Sequence, residues 1–257
     1  MHRSLSYIDS QAKLAKNVVV EPFVTIEKNV EIGSGTWIGS NVTIMEGARI
    51  GKNCEIFPGA VISAIPQDLK FEGEESLAII GDNTVVRECA TINRATKATG
   101  KTVVGDNCLI MAYAHIAHDC SVGNNNVFAN NAAIAGHVDI GNFVVIGGFC
   151  GVHQFCSLGD YCFTGMNTSI TMDIPAFVKV ASNPARIIGL NSVGMSRNNI
   201  SSESIDLIKK AFKILYKKGL KLEESLNEID ILKSETNDTY LEIFLKSIKD
   251  SSRGILR

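Results

Sequence analysis

The sequence predicts a mainly β protein, in which a parallel β-helix of hexapeptide repeats is followed by an α-helical domain. Two observations carry this prediction. An aliphatic residue recurs at every sixth position through most of the chain, and beyond about residue 201 the apolar spacing changes to three and four. A period of six fits neither an amphipathic helix nor an alternating strand, but six residues suffice for one short strand and one turn.

The repeat starts at Ile8 and keeps its phase to Leu158. Three strands and three turns close one triangular coil, and stacking of coils buries the apolar faces. A glycine often follows the aliphatic residue, as in Ile32-Gly33, and we expect it to let the chain turn without a Cβ clash. The in-phase positions are Ile8, Leu14, Val20, Ile26, Ile32, Ile38, Ile44, Ile50, Ile56, Ile62, Ile80, Val86, Ile92, Val104, Ile110, Ile116, Val122, Phe128, Ile134, Ile140, Ile146, Val152 and Leu158.

Two segments interrupt the repeat without shifting its phase. Asp68 and Glu74 fall on in-phase positions that cannot be core, so residues 64–78 are predicted to leave the coil as a loop. A smaller excursion is predicted at residues 96–101. An irregular insert on a rigid scaffold often carries binding groups, and a tolerated surface insertion is the alternative.

The seven cysteines do not resemble a disulfide set. Six of them fall on the inward small-residue position of the repeat, so we predict apolar core residues in a reducing compartment. Cys89 is the exception and receives no role. The six are Cys54, Cys108, Cys120, Cys150, Cys156 and Cys162.

A cluster of histidines lies in the middle of the repeat. Residues eighteen apart should lie one above another at about 4.8 Å, which stacks polar groups from distant parts of the chain. A histidine can accept a proton near neutral pH, a fixed carboxylate can hold its tautomer, and a glycine N–H can stabilise an oxyanion. A solvated polar face is the alternative. The outward columns are His118, Gly136 and Gln154 and, beside them, Asp119, His137 and Phe155, with His115 and His153 nearby.

The coil is expected to end near Asn183-Pro184, which gives a β-helix over residues 1–184 and an α-helical domain over 185–257. One helix should begin near Ser201 or Ser202 and stop at Gly219, with further helices at residues 222–232 and 239–251. Six lysines make this part basic, which is typical of a solvated face or of a surface for an acidic partner. They are Lys209, Lys210, Lys213, Lys217, Lys218 and Lys221.

The overall charge and hydropathy point to a cytoplasmic protein. A net charge of −2 gives no reason to expect nucleic acid or an anionic membrane as partner. No apolar run approaches the roughly 18 residues that span a bilayer, and the stretch from Met1 to Tyr7 has no signal-peptide core.

Several motifs together are more specific than the repeat. They are Gln67-Asp68-Leu69-Lys70, Arg87-Glu88, Thr91-Ile92-Asn93-Arg94, His115-Ile116-Ala117-His118-Asp119-Cys120, Ala135-Gly136-His137, His153-Gln154-Phe155-Cys156 and Arg253-Gly254-Ile255-Leu256-Arg257. In this order they resemble the acyl-carrier-protein-dependent UDP-N-acetylglucosamine O-acyltransferases, a hexapeptide-repeat family that opens lipid A synthesis in Gram-negative bacteria. The resemblance covers nearly the whole chain.

The resemblance implies a left-handed parallel β-helix that assembles as a homotrimer, with active sites in the clefts between subunits. Handedness rests on the resemblance alone, because general crossover rules favour a right-handed connection. Neither a metal nor a cofactor is implied. The implied partners are acyl carrier protein, which carries the acyl donor, and UDP-N-acetylglucosamine.

The resemblance also implies roles for individual residues. His118 would deprotonate the glucosamine 3-hydroxyl, whose oxygen then attacks the thioester of an (R)-3-hydroxyacyl chain on the carrier protein. Asp119 would orient His118, and the backbone N–H of Gly136 would bind the oxyanion. The implied substrate positions are Asp68, Lys70, His115, His137 and Gln154 around the sugar and its phosphates, His153 lining the site, and Asn191 and Arg197 at the nucleotide end.

Three positions depart from the best-known member of the family. Val193 and Asn198 stand where it has an acidic and a basic residue, and Met166 stands where a glycine acts as its acyl-chain ruler. Met166 lies twelve residues from Gln154, hence on another face of the coil, and a cleft between two subunits would bring it to His118. We expect its bulk to shorten the accepted acyl chain.

Three other readings remain at this point. The first is the related N-acyltransferase of the same pathway, whose extra N-terminal domain does not match a repeat that is in phase from Ile8. The second is a γ-carbonic-anhydrase-like zinc protein, with His115, His118 and His137 as ligands. The third is a β-helix without enzymatic activity that serves as an assembly surface.

Overall fold

The computed structural model describes residues 5–257. The stretch predicted to have no signal-peptide core began at Met1, so its first four residues, Met1 to Ser4, lie outside the described residues. The strands are β1 Tyr7–Ile8, β2 Lys13–Leu14, β3 Val19–Val20, β4 Thr25–Ile26, β5 Glu31–Ile32, β6 Trp37–Ile38, β7 Thr43–Ile44, β8 Ala48–Ile50, β9 Glu55–Ile56, β10 Val61–Ala64, β11 Leu77–Ile80, β12 Val85–Val86, β13 Thr91–Asn93, β14 Lys101–Val104, β15 Leu109–Ile110, β16 His115–Ile116, β17 Ser121–Val122, β18 Val127–Phe128, β19 Ala133–Ile134, β20 Asp139–Ile140, β21 Val145–Ile146, β22 Gly151–Val152, β23 Ser157–Leu158, β24 Phe163–Thr164, β25 Ser169–Ile170, β26 Val178–Ala181 and β27 Arg186–Leu190.

Every third strand belongs to the same sheet, as a triangular coil requires. The first sheet has the order β1-β4-β7-β10-β13-β16-β19-β22-β25, the second β2-β5-β8-β11-β14-β17-β20-β23, and the third β27-β26-β24-β21-β18-β15-β12-β9-β6-β3. Paired strands are parallel, except for β26 with β27, and mostly in an eighteen-residue register, as where His115 pairs with Ala133 and Ala133 with Gly151. The predicted parallel β-helix is confirmed.

The sixfold aliphatic residues fill the interior of the coil. Ile26, Ile44, Ile62 and Ile116 are fully buried, and such side chains contribute roughly 1.5–3 kcal/mol each when removed from water. The six predicted core cysteines are buried and Cys89 is exposed. Burial raises the pKa of the Cys120 thiol to about 12, which keeps it protonated and unreactive.

The glycines have a different purpose from the predicted one. A Cβ on Gly33 would lie 2.5 Å from the backbone of Gly51 in the next coil, so glycine is needed here for close stacking rather than for the turn. The positive φ angles fall on a later corner residue, commonly asparagine, as at Asn17 (63°) and Asn41 (60°). Asparagine tolerates this left-handed conformation better than most residues.

Both predicted excursions are present, with slightly different limits. Ala48 pairs with Ala78, thirty residues on rather than eighteen, so the first excursion adds twelve residues. Thr91 pairs with His115, twenty-four residues on, so the second adds six. Multiples of six preserve the phase of the repeat. The loops run over residues 65–76 and 94–100, because Ala64, Leu77 and Lys101 still belong to strands.

Four helices follow the coil: α1 Ser192–Arg197, α2 Ser202–Lys217, α3 Leu222–Thr236 and α4 Thr239–Lys249. Helix α1 was not predicted. Ser201 caps α2 by accepting from the Ser204 N–H, and Gly219 follows its end with a φ of 70°. The domain boundary at residue 184 stays a prediction, and β27 beyond it still belongs to the third sheet, antiparallel to β26.

The helical part is joined to the last coil through Asp173. This buried carboxylate accepts from the Ser251 hydroxyl at 2.7 Å and from the Ser252 and Arg253 N–H groups at 3.1 Å. Ser247 of α4 accepts from the Ala176 N–H at 2.9 Å. Over residues 5–257, none of the helices has the length and apolar character needed to cross a bilayer.

Candidate active site

One edge of the triangular coil carries most of the predicted site. We call the turns between the first and second sheets the first corner. In successive coils it consists of the two excursions, then His118 and Asp119, then Gly136 and His137, then Gln154 and Phe155. The His137 N–H donates to the His118 carbonyl at 3.1 Å, and the Phe155 N–H to the Gly136 carbonyl at 3.3 Å. The stacking that the eighteen-residue coil predicts is therefore present.

The imidazole of His118 lies directly against Gly136. A Cβ on Gly136 would lie 2.5 Å from Cε1 and 2.8 Å from Nε2 of the ring, so only glycine leaves room for the side chain in this position. Within residues 5–257 the Gly136 N–H has no hydrogen-bond acceptor. An N–H donor and the free edge of the ring thus lie together.

Asp119 does not face outward as predicted, because its carboxylate is completely buried. Oδ2 accepts from His118 Nδ1 at 2.8 Å, and the remaining hydrogen bonds come from Thr96 and Thr99 of the second excursion. Burial alone would raise the pKa of Asp119, but the hydrogen bonds from Thr99, His118 and Thr96 outweigh it and hold the pKa below its usual value. Asp119 is therefore ionised at neutral pH.

The charge on Asp119 determines the tautomer of His118. An ionised carboxylate only accepts hydrogen bonds, so the 2.8 Å contact requires the proton on Nδ1 of His118. Nε2 then carries the free lone pair. The side chain of His118 is 13% exposed, which leaves Nε2 accessible beside Gly136. This is the arrangement of an oriented general base.

His137 completes the cluster one coil above. Its ring stacks on Phe155 with centroids 4.6 Å apart and meets the His118 ring edge-on at 5.3 Å. Its Nε2 lies 3.9 Å from Asp119 Oδ2. Asp119, His137 and Phe155 all have φ near 60°, so they take the backbone position that asparagine fills at many other corners.

The first excursion brings Asp68 and Lys70 to this cluster. A pocket of about 160 Å³ is lined by Asp68, Lys70, Glu74, residues 96–98 and His137. Its rim carries charges of both signs and an imidazole. A polar ligand with hydroxyl and phosphate groups fits such a lining.

His115 and His153 line a different surface, the face of the first sheet: His115 lies in β16, and His153 directly follows β22. They line a shallow groove of about 480 Å³ whose floor is made of small residues such as Ala133 and Gly151. His115 Nδ1 is 2.7 Å from the Thr91 hydroxyl, and burial, with the nearby His118, lowers the pKa of His115. His115 is accordingly neutral at physiological pH. Gln154 is exposed at the corner between the groove and the cluster.

Three predicted residues lie apart from this corner in the single chain. Asn191 is buried, where its amide caps α1 by accepting from the Gly194 N–H and donates to the Tyr161 carbonyl at 2.9 Å. Arg197 is exposed at the end of α1. Met166 lies in the turn from the third sheet to the first and is 73% exposed.

A metal site is a poor match for the cluster. Possible ligand atoms of His118, Asp119 and His137 lie within 4.8 Å of one another. The zinc site considered from the sequence consisted of His115, His118 and His137, so the observed cluster contains Asp119 instead of His115. Oδ2 of Asp119 already accepts from His118 and from both donors of Thr96. A metal ion would have to displace these hydrogen bonds.

Sequence reasoning missed Thr96 and Thr99, the residues that hold Asp119. The repeat shows only that six residues are inserted, and it contains no signal that the insert folds back on the next coil. The available signal was a pair of threonines in an insert that lies one coil before a carboxylate at the same corner.

Comparisons with known proteins point to one family of acyltransferases. Residues 173–256 match a family model described as Udp N-acetylglucosamine O-acyltransferase, Domain 2. Residues 29–64 and 101–136 match one described as Bacterial transferase hexapeptide (six repeats). An acyl-[acyl-carrier-protein]–UDP-N-acetylglucosamine O-acyltransferase of Pseudomonas syringae pv. tomato is 41% identical over 191 residues, 74% of this chain and 73% of the relative.

Solved structures extend the likeness over the whole chain. The UDP-N-acetylglucosamine acyltransferase of Francisella novicida is 39% identical with a TM-score of 0.96, covering 99% of this chain and 93% of that one. The corresponding enzyme of Bacteroides fragilis is 41% identical with a TM-score of 0.95, covering 98% of each chain. Together with the hexapeptide repeats, this likeness fits the left-handed form of the β-helix.

Proposed function

The chain belongs to the UDP-N-acetylglucosamine O-acyltransferase family, and from this premise we propose that it catalyses the first step of lipid A biosynthesis. In this reaction an (R)-3-hydroxyacyl chain passes from acyl carrier protein to the glucosamine 3-hydroxyl of UDP-N-acetylglucosamine. The observation that carries the proposal is the contact of His118 with an ionised, buried Asp119 on one side and with Gly136 on the other.

The acceptor hydroxyl is activated by His118. Asp119 keeps the proton on Nδ1, so Nε2 takes the proton of the 3-hydroxyl as its oxygen attacks the thioester carbonyl carbon. The carboxylate also stabilises the imidazolium that forms. General-base catalysis of this kind contributes roughly 10²–10⁴ in rate.

The tetrahedral intermediate carries a negative oxygen beside Gly136. The N–H of Gly136 donates to that oxygen, and it needs no reorganisation because the backbone of the coil is fixed. When the intermediate collapses, the carbon–sulfur bond breaks and the thiolate of the carrier protein takes the proton from His118. The ester product and the free thiol balance the reaction, with no covalent enzyme intermediate and no cofactor.

The remaining site residues bind the substrates. Asp68, Lys70 and His137 line the charged pocket, which suits the sugar hydroxyls and the diphosphate. His115 and His153 line the neighbouring groove, and Gln154 lies between the two. At the nucleotide end, exposed Arg197 is free to reach a ligand, whereas the amide of Asn191 contributes by fixing α1.

The assembly we propose is a homotrimer in the cytoplasm. Met166 and His118 lie at different corners of the coil, so an acyl chain that starts at His118 meets the Met166 position only when a second subunit packs alongside. The lysines of α2 offer a complementary surface to an acidic partner protein. The N-acyltransferase reading loses support because the Pseudomonas relative is named an O-acyltransferase.

A transfer assay read by mass spectrometry tests the proposal. The purified protein would receive UDP-N-acetylglucosamine together with carrier proteins that bear 3-hydroxyacyl chains of graded length. Product with the wild type and loss of product with a folded His118→Ala variant are expected. No product with any chain length would overturn the proposed reaction, and stoichiometric zinc in the purified protein would favour the zinc reading instead.

A further inference from the structure

The second excursion surrounds the carboxylate of Asp119, and its two threonines supply four of the five hydrogen bonds that this carboxylate accepts. We propose that Thr96 and Thr99 are positioning residues of the acyl transfer, whose hydroxyls hold Asp119 in the one orientation that keeps His118 as the base. We call the two residues the threonine clamp. The inference rests on the proposed function and adds to it residues that neither the repeat nor the comparisons single out.

Each threonine holds a different oxygen of the carboxylate. Thr96 donates from its N–H (3.1 Å) and its hydroxyl (2.8 Å) to Oδ2, the atom that also accepts from His118 Nδ1. Thr99 donates from its N–H (3.1 Å) and its hydroxyl (2.5 Å) to Oδ1. With both oxygens held, the carboxylate cannot rotate, and the direction of the His118 ring is fixed through Oδ2.

The hydroxyl protons have few alternatives. Thr96 Oγ1 accepts from the Ala98 N–H at 3.2 Å, so its own proton remains for Asp119. Thr99 Oγ1 lies 3.0 Å from the Lys101 carbonyl and 2.5 Å from Asp119 Oδ1. A hydrogen bond to a charged acceptor is the stronger of the two, and the shorter distance agrees. Both hydroxyls therefore act on the carboxylate.

A purely structural purpose does not explain this arrangement. Burying a carboxylate is costly unless several donors compensate it, and an asparagine fills the same left-handed position at corners such as Asn125 and Asn131. At residue 119 the chain instead keeps the charge and adds a six-residue insert that supplies its donors. The negative charge of Asp119 is explained by its hydrogen bond to His118, whose tautomer it sets.

The clamp is in turn supported by the first excursion. Glu74 accepts from the Lys97 N–H at 2.9 Å, and the Lys97 ammonium pairs with Glu72 at 3.2 Å. Lys97 lies between the two threonines, so the loop that carries Asp68 and Lys70 also supports the clamp. The binding pocket and the catalytic carboxylate are thereby connected.

Within residues 5–257, the titratable groups close to Asp119 are His118 on its own corner at 2.8 Å, His137 of the next coil at 3.9 Å and the buried thiol of the adjacent Cys120, which stays protonated. Removing a clamp hydroxyl takes a donor from the ionised carboxylate and raises the pKa of Asp119. The part of the rate profile that reports protonation of Asp119 should then move to higher pH. Thr96 also lines the charged pocket, but its backbone N–H is kept in the variant and Asp68, Lys70 and His137 keep their places, so KM should change little.

The test uses Thr96→Val and Thr99→Val, which keep the shape and the backbone donors and remove only the hydroxyls. Thr96→Ser and Thr99→Ser restore the hydroxyl. Thr84→Val is the matched control, because the buried Thr84 hydroxyl bonds only backbone groups, donating to the Gly105 carbonyl (2.8 Å) and accepting from the Cys108 N–H (3.1 Å). Rates, KM, thermal stability and the ¹⁵N spectrum of the imidazoles are measured for each.

We expect each valine variant to lose about tenfold in kcat, as for one hydrogen bond to a charged group. KM for the nucleotide sugar should stay within about twofold, and the serine variants should recover. The control should lose stability but keep the wild-type rate. Wild-type kcat and pH profile in both valine variants, or an equal loss in the serine variants, would overturn the proposal.

The imidazole spectrum separates this inference from the proposed reaction. It is recorded without substrate, so it remains informative if the wild type transfers no acyl chain, in which case the proposed function fails by itself. In the wild type the Nδ1–H tautomer of His118 should dominate, and in the valine variants the other tautomer should gain population. An unchanged tautomer ratio in both variants contradicts the clamp.

Discussion

Two corners of the same β-helix carry carboxylates and use them in opposite ways. At the second corner, the turns from the second sheet to the third, each Asp or Asn side chain accepts the backbone N–H of the coil below. This Asx ladder is formed by Asp82, Asp106, Asn124, Asn142 and Asp160, at 2.7–2.9 Å. At the first corner, Asp119 is buried and uses both oxygens.

The difference separates a structural acceptor from a charge that orients a histidine ring. Both aspartate and asparagine occur in the Asx ladder because a single acceptor oxygen is enough there. At Asp119 every neighbour is a donor, and the ring of His118 depends on the sign of the charge. Similar corners of one repeat can thus be told apart by what surrounds their carboxylates.

The largest effect should come from the base itself. His118→Ala removes the only imidazole that contacts both Asp119 and Gly136 within residues 5–257, and kcat should fall about a thousandfold. Asn124→Ala at the second corner should lower the melting temperature and leave kcat intact. Equal loss of activity in both variants would mean that the two corners do not differ in function.

The comparison is sharpest for a pair of substitutions that keep the side-chain shape and remove the negative charge. Asp119→Asn leaves one acceptor oxygen and turns an NH₂ group toward the donors of Thr96, Thr99 or His118. The wrong tautomer of His118 should then gain population, and kcat should fall about a hundredfold. Asp106→Asn should be nearly silent in rate and stability, since asparagine fills the same ladder position at Asn124. Steady-state kinetics and thermal melts check both, and a silent Asp119→Asn contradicts the assignment.

A smaller loss should follow from crowding the histidine. In Gly136→Ala the added methyl group would lie 2.5 Å from His118 Cε1, so the ring must turn away from its base position. We expect about a tenfold fall in kcat with an unchanged circular dichroism spectrum, as for a modest misplacement of a catalytic group. Full activity in the folded variant would show that the ring can move without cost.

The pH dependence of stability gives a further contrast. The folded pKa of Asp119 lies below its ordinary value of about 4, so its ionised form adds stability above that value, which is lost as the pH falls through the folded pKa. The difference in melting temperature between wild type and Asp119→Asn should therefore shrink on acidification from pH 7 toward about pH 3. A difference that does not depend on pH would argue against an ionised Asp119.

The smallest expected effect concerns the acyl chain rather than the rate. Met166 projects from the third corner, the turns from the third sheet to the first. Met166→Gly should shift the preferred donor to a longer chain and leave activity with short chains largely intact. The mass-spectrometric assay with graded carrier proteins checks it. If the wild type accepts long and short chains equally, Met166 does not measure the chain.

The amino-acid order was enough to predict the coil, its buried cysteines, its two excursions and the stacking of His118, Asp119, Gly136 and His137, because a strict period of six converts residue number into position. The C-terminal helices α2, α3 and α4 followed from apolar spacing and caps. The reaction was inferred from the resemblance of the sequence motifs to the O-acyltransferase family.

Features that depend on contacts outside the period could be seen only in the folded chain. Asp119 faces inward because residues 94–100 fold back over it, and an irregular insert carries no register from which that fold could be read. The stacking glycines serve close approach between coils, a distance that no local pattern encodes. Periodicity fixes which residues are neighbours, whereas the direction of a side chain is set by hydrogen bonds from segments distant in sequence.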